Sequence, residues 1–152
     1  MRAFLTSTLA ALALGLPAAA AEGPSLADRW RDDPAQIFDA AGIDIAELQW
    51  IARPVVVFAN SPEDPAYIDQ MAEILRDLPE LVARDVIVIT DTDAETSSLL
   101  RTQLRPRGFM LVLMGKDGEV KLRKPLPWTV RELSRSIDKM PMRQREIGVD
   151  RR

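Results

Sequence analysis

Three runs in this chain are apolar at every position and too short to be buried helices: Val55-Val56-Val57-Phe58-Ala59, Val86-Ile87-Val88-Ile89, and residues 109–114 (FMLVLM). A strand that is apolar on both faces must be covered on both faces, so these runs predict the inner strands of one sheet sandwiched between helices. The chain between and after them supplies such helices. Asp64 followed by Pro65 reads as an N-cap and a first helical position, and Ile68, Met71, Ala72, Leu75 and Leu78 then recur on one helical stripe. Pro79 interrupts the stripe, and Leu81-Val82 continues it as a short second turn. Asp93 is placed to cap a helix over 94–104, stopped by Pro106 and Gly108. Lys116-Asp117-Gly118 is a hairpin signal, because the glycine supplies positive φ. The alternation over 119–123 turns Val120 and Leu122 inward and Glu119, Lys121 and Arg123 outward, as in a strand with one solvated face. Thr129 and Glu132 form a capping box for a last helix whose stripe is Val130, Leu133, Ile137 and Met140. Pro141 is expected to end that helix. Residues 25–52 are expected to hold short helical turns and a short strand near 48–51.

The N-terminus carries a different signal. Arg2 is followed by 14 residues without charge, then by Pro17 and Ala19-Ala20-Ala21. This is the layout of a secretory signal peptide cut before Glu22. The run is shorter than the roughly 20 apolar residues that span a bilayer. The expectation is an exported protein of the bacterial periplasm, divided into a leader (1–21), an N-terminal extension (22–47), one α/β domain (48–147) and a short tail (148–152).

Two absences restrict the chemistry. The 152 residues include no Cys and no His. Disulfide exchange requires a thiolate, and imidazole-based catalysis requires histidine. Thiol oxidoreductase and thiol peroxidase activity, Ser-His-Asp hydrolysis and Cys/His metal sites are therefore excluded, and no cofactor or metal is expected. Charge is unevenly spread. Residues 22–98 carry 5 basic and 17 acidic groups, and residues 99–152 carry 14 basic and 6 acidic. A nucleic-acid role fits poorly with a net charge of −3 and 5% aromatics.

The order strand, helix, strand, helix, strand, hairpin, strand, helix is the thioredoxin arrangement: a central mixed sheet flanked by helices. The stretch from Gly108 to Val120 resembles the strand–hairpin–strand that follows the cis-proline of thioredoxins. Three blocks also resemble an uncharacterised thioredoxin-like domain family found in exported bacterial proteins and in sushi-repeat-containing and equarin-like extracellular proteins. They are Arg53-Pro54-Val55-Val56-Val57-Phe58-Ala59, then Gly115-Lys116-Asp117-Gly118 with Val120-Lys121-Leu122-Arg123, then Met140-Pro141-Met142-Arg143-Gln144-Arg145-Glu146. The resemblance implies the fold and no established activity. Pro62-Glu63-Asp64-Pro65 stands where a thioredoxin opens its first helix with two cysteines, and Met110 falls at the cis-proline position.

Two sets of residues are candidate sites. The basic set, Lys116, Lys121, Arg123, Arg143, Gln144 and Arg145, suits an anionic ligand or acidic partner, since Arg clusters bind carboxylate and phosphate well. Arg101, Arg105 and Arg107 lie nearby in sequence. The dull alternative is that these cations neutralise the acidic half of the same molecule. The acidic set, Glu63, Asp64, Asp91 and Asp93, with Asp85 and Glu95 close by, would serve a carboxylate-based, possibly divalent-metal-dependent enzyme at the C-terminal ends of the parallel strands. Helix capping explains the same residues. The favoured expectation is a non-catalytic exported module that binds a protein partner or an anionic envelope component.

Overall fold

The computed structural model describes residues 23–150; the expected leader lies outside the described residues. A five-stranded mixed sheet forms the centre: β1 (Ile37–Asp39), β2 (Arg53–Phe58), β3 (Val86–Asp91), β4 (Met110–Met114) and β5 (Val120–Lys124). The spatial order is β1-β3-β2-β4-β5, with β1, β3 and β2 parallel and β4 and β5 each antiparallel to its neighbour. The three apolar runs become the three inner strands. The helices are α1 (Leu26–Asp32), α2 (Pro65–Arg76), α3 (Leu78–Val82), α4 (Leu99–Leu104), α5 (Val130–Asp138) and α6 (Pro141–Asp150). This α/β sandwich is consistent with a thioredoxin-like fold.

Strand alternation divides the core in two. Val56, Phe58, Ile87, Ile89 and Val112 face one layer, packed with Leu26, Trp30, Phe38 and Leu100. Val55, Val57, Val88, Leu111 and Leu113 face the other, packed with Ile74, Leu81, Leu133 and Ile137. Residues within 22–47 thus contribute to the core of the domain itself. The second layer is also pinned by a buried amide: Gln70 of α2 donates to the Trp128 carbonyl and accepts from the Trp128 N–H, at 2.9 and 2.8 Å. No helix among the described residues is long and apolar enough to cross a membrane.

Capping chemistry held where it was strongest. The Asp64 carboxylate accepts from the Ala66 and Tyr67 amides, and Thr129 and Glu132 form the reciprocal capping box. Four expectations are corrected. The first concerns residues 48–51, which are not a strand. A 3-10 turn, Ile45–Leu48, capped by Asp44, occupies the approach, and the extra strand is β1, whose three residues are too few to show a period. The second is the start of α4 at the Ser98 cap, not at Asp93, whose carboxylate instead closes a local turn by accepting from the Glu95 and Thr96 amides. Third, Val120 is 39% exposed because a bulge between Leu113 and Met114 shifts the β4–β5 register, and only Leu122 turns inward. Fourth, the helix before Pro141 does end, at Asp138, but the residues after Pro141 are not a tail: Pro141 opens a further helix. Proline at a first helical position forfeits no intrahelical bond, so Met142-Arg143-Gln144-Arg145-Glu146 lies on α6.

Candidate functional site

The antiparallel turn of β4 brings chemistry to both ends of the sheet. At the C-terminal ends of β2 and β3 the acidic residues are committed to local structure. Asp91 is buried; its Oδ1 takes Arg101 Nε and Nη2 at 3.1 and 2.6 Å, and its Oδ2 accepts from the Ser98 hydroxyl at 2.6 Å. Arg101 Nη2 also donates to the Ala59 and Asp91 carbonyls, and its guanidinium lies 5.6 Å from the centre of the Phe58 ring. Arg101 Nε and Nη2 and the Ser98 hydroxyl are thus used in tying α4 to the strand ends. Glu63 is exposed and bonds to Ser61, whose hydroxyl is the main cause of its lowered pKa. Asp93 is held below the usual carboxylate range by Thr96 and the turn amides. A cleft of about 190 Å³ lies here, lined by Asp39, Asp91 and Asp93 among others. Glu63 and Asp64 follow β2 while Asp91 and Asp93 follow β3, and no group of three or more acidic residues placed to hold a metal ion occurs among the described residues.

The other end is organised by a residue that the sequence marks only as the head of the first resemblance block. Arg53, the first residue of β2, is completely buried. Its Nη2 reaches both oxygens of Glu146 on α6, at 2.9 and 3.0 Å, and its Nη1 donates to the Arg84 carbonyl at 2.9 Å. Lys116, from the β4–β5 turn, bridges Glu146 at 3.0 Å and Asp85 at 2.7 Å. Arg143 adds a longer contact to Glu146 at 3.4 Å and donates to the Ala83 carbonyl. Burial pushes the Glu146 carboxyl up, but hydrogen bonds and charge from Arg53 and Lys116 outweigh it and hold its pKa below the usual value. This network fastens α6 across the N-terminal ends of β2 and β3. The three blocks of the family resemblance meet in it: Arg53 from the first, Lys116 from the second, Glu146 from the third.

The expected basic face is therefore divided. Lys116 and Arg143 sit inside the network, and the Gln144 side chain bonds the Asp138 carbonyl. Lys121 pairs with Asp117 and Glu119 at 2.6 and 2.8 Å, which raises its pKa. Arg123 departs from the group: its guanidinium reaches the Leu104 carbonyl, toward α4. Arg145 is exposed and makes no ion pair among the described residues. Between the β4–β5 turn and the start of α6 lies a cleft of about 200 Å³, lined by Arg53, Lys116, Lys121 and Arg145, by the single carboxylate Asp117, and by Gly115, Met140, Pro141 and Met142.

Trp50 was also missed as a site residue. It is 62% exposed and holds φ of 65°, a left-handed conformation that is an outlier for a bulky side chain. Its N–H donates to the Lys116 carbonyl at 2.6 Å, and the neighbouring Gln49 amide reaches the Asp117 carbonyl. The exposed indole is displayed from a loop fastened to the same turn. A hydrophobic residue between Gln49 and Ile51 gives no sequence sign of either property.

Among family models, one described as a domain of unknown function, DUF4174, matches residues 44–146, more than half of the chain. Comparison with curated proteins returned no match.

Proposed function

Starting from the premise that this chain belongs to the DUF4174 family, we propose that it is a non-catalytic recognition module. It binds an anionic group of a protein partner or envelope component at the basic end of the sheet. The observation that carries this reading is the cleft between the β4–β5 turn and α6, where Arg145 lies exposed and pairs with no carboxylate among the described residues. Lys121 and Arg145 are its accessible residues, while Arg53, Lys116 and Arg143 hold its wall through Glu146. A chain without cysteine or histidine has neither thiolate nor imidazole for covalent or acid–base work. Weighing against the carboxylate-enzyme alternative, Asp91 is already saturated by Arg101 and Ser98, and Asp64 and Asp93 cap local turns.

The compartment belongs to the same proposal. The leader-like residues 1–21 and the resemblance to exported bacterial and sushi-repeat or equarin-like extracellular proteins support export to the periplasm, where such a module meets envelope components. The test is crosslinking capture by the mature protein from its own envelope extract, beside an Arg145→Glu variant whose melting temperature is measured. Loss of a specific partner from a variant that melts like the wild type supports recognition at this end. Identical capture by both proteins refutes it.

A further inference from the structure

The sequence puts Ile68, Met71, Ala72, Leu75 and Leu78 on one apolar stripe, and the fold splits it. Met71 and Leu78 turn to the core, where they pack with Ile74 and Leu81. Ile68 and Leu75 face solvent at 53% and 57% exposure, and Pro65 and Ala72 are exposed with them. At 3.6 residues per turn these four side chains fall within about 80° of arc and form one strip along α2. The polar residue Gln70, by contrast, is fully buried on the core side. A surface helix ordinarily turns polar residues outward, and one that is apolar on both sides is covered on both.

We propose that the outward strip of α2 is a docking surface for a basic amphipathic helix of a partner protein, a second interaction surface beside the basic cleft.

Charge selects the occupant. Asp69 and Glu73 follow one side of the strip, with Arg76 at its end and Asp77 as the helix C-cap. From Pro65 to Asp77 the chain carries three carboxylates and one cation. That cation, Arg76, is already held by Glu73 and Asp77 at 2.7 and 2.9 Å, and Asp69 has no ion-pair partner among the described residues. The rim is therefore acidic after its internal pairing is counted. A second copy of this chain would set two acidic rims against each other, and an anionic lipid surface would meet the same repulsion. A helix whose apolar seam is flanked by lysine or arginine meets neither objection.

The spacing fits such a partner. Pro65, Ile68, Ala72 and Leu75 are separated by three, four and three residues, the pattern by which one helix packs its ridges against another. Ala72, the smallest of the four, lies between Ile68 and Leu75 and lets the partner backbone approach. Asp69 and Glu73 then face the partner's cations. A twelve-residue helix is about 18 Å long, so the contact is smaller than the roughly 800 Å² per partner of a standard interface and belongs to a transient complex.

The experiment is a titration of isotope-labelled protein with three peptides: leucine and lysine patterned as an amphipathic helix, the same composition scrambled so that no seam forms, and the patterned peptide with glutamate for lysine. The expected result is saturable shifts of the Ile68, Asp69, Ala72 and Leu75 amides with the patterned lysine peptide, and much weaker binding of the other two. Affinity should fall about tenfold or more in Ile68→Ser/Leu75→Ser, as for truncated interface anchors, and several-fold in Asp69→Lys. Asp69→Lys carries the test should the double variant melt below the wild type. Arg145→Glu, at the basic end, should leave the affinity unchanged, which separates this surface from the cleft. Equal binding of the patterned and scrambled lysine peptides, or no localised shift up to about 1 mM peptide, overturns the proposal. So does self-association of the protein in sedimentation, or binding to vesicles of phosphatidylglycerol and phosphatidylethanolamine, that the double variant abolishes: the first makes a second copy the occupant and the second a lipid surface.

Discussion

The two ends of the sheet hold arginine–carboxylate pairs of similar make and different setting. At the C-terminal ends of the parallel strands, Arg101 and Asp91 enclose each other: the Asp91 side chain is 4% exposed and Arg101 is 12%. At the opposite end Arg53 is as buried as Asp91, but its partner Glu146 is 25% exposed and shares itself among three cations. The first pair is closed and serves the fold. The second forms the wall of an open cleft in which Arg145 has no ion-pair partner among the described residues. Thioredoxin-like folds usually place function at the strand C-termini, and in this chain that end has no thiol, and its buried carboxylate, Asp91, is enclosed by Arg101 and Ser98. On the proposed reading, a binding end differs from a structural end by the polar groups it leaves unsatisfied, not by the number of its charges.

Substitutions should separate these two roles. The largest stability loss is expected from Asp91→Ala, which leaves Arg101 and Ser98 without their partner. Breaking a buried pair from one side costs about 3–5 kcal/mol, readable by denaturant unfolding, and crosslinking capture by the folded fraction should persist. Glu146→Gln should lose less, about 2 kcal/mol, because it keeps a hydrogen-bonding side chain against Arg53 and is partly solvated. An unfolding midpoint unchanged from wild type would show that α6 is not fastened as described.

Acid should reveal the same network. The folded-state pKa values of Glu146 and Asp138 lie below the ordinary 4.5 and 3.8. For Asp138 the chief cause is the Arg84 hydrogen bond, with Arg143 adding charge. A depressed folded pKa stabilises the fold above the unfolded value and loses that contribution as pH falls through the folded one. Melting temperature should therefore drop below about pH 4.5, and Glu146→Gln should flatten part of that slope. An identical slope in the variant would contradict the role given to Glu146. The smallest stability effect is expected at Arg145: Arg145→Ala should change unfolding free energy by no more than about 0.5 kcal/mol, as for exposed positions generally, while weakening partner capture. A large loss of stability there would make Arg145 structural.

The sequence displayed the sheet well because its evidence is periodic: runs apolar at every position become inner strands, and capping boxes mark helix starts. It concealed β1, since three residues carry no period, and it disguised α6, since Pro141 reads equally as a stop and as a first helical residue. The candidate site was half legible. Lys116, Lys121 and Arg145 were visible as charge, but a one-dimensional count cannot show that Arg123 turns toward Leu104, or that Arg53, at the head of an apolar run, is buried against Glu146 from 93 residues away. The exposure and left-handed backbone of Trp50 were invisible because neither leaves a mark in one dimension.

The claim that recognition occurs at the basic end can be tested without disturbing the Arg53–Glu146–Lys116 network, because a cysteine-free chain accepts a label at one introduced thiol, and a change at Glu119 leaves Lys121 its second partner, Asp117. Glu119, 75% exposed at the β4–β5 turn, and Glu63, exposed at the opposite end, are suitable positions. Photoreactive labels on Glu119→Cys and, separately, on Glu63→Cys would be irradiated in envelope extract. The account predicts a discrete partner adduct from position 119 and none from position 63. The same adduct from position 63 alone would place recognition at the strand C-termini and contradict it.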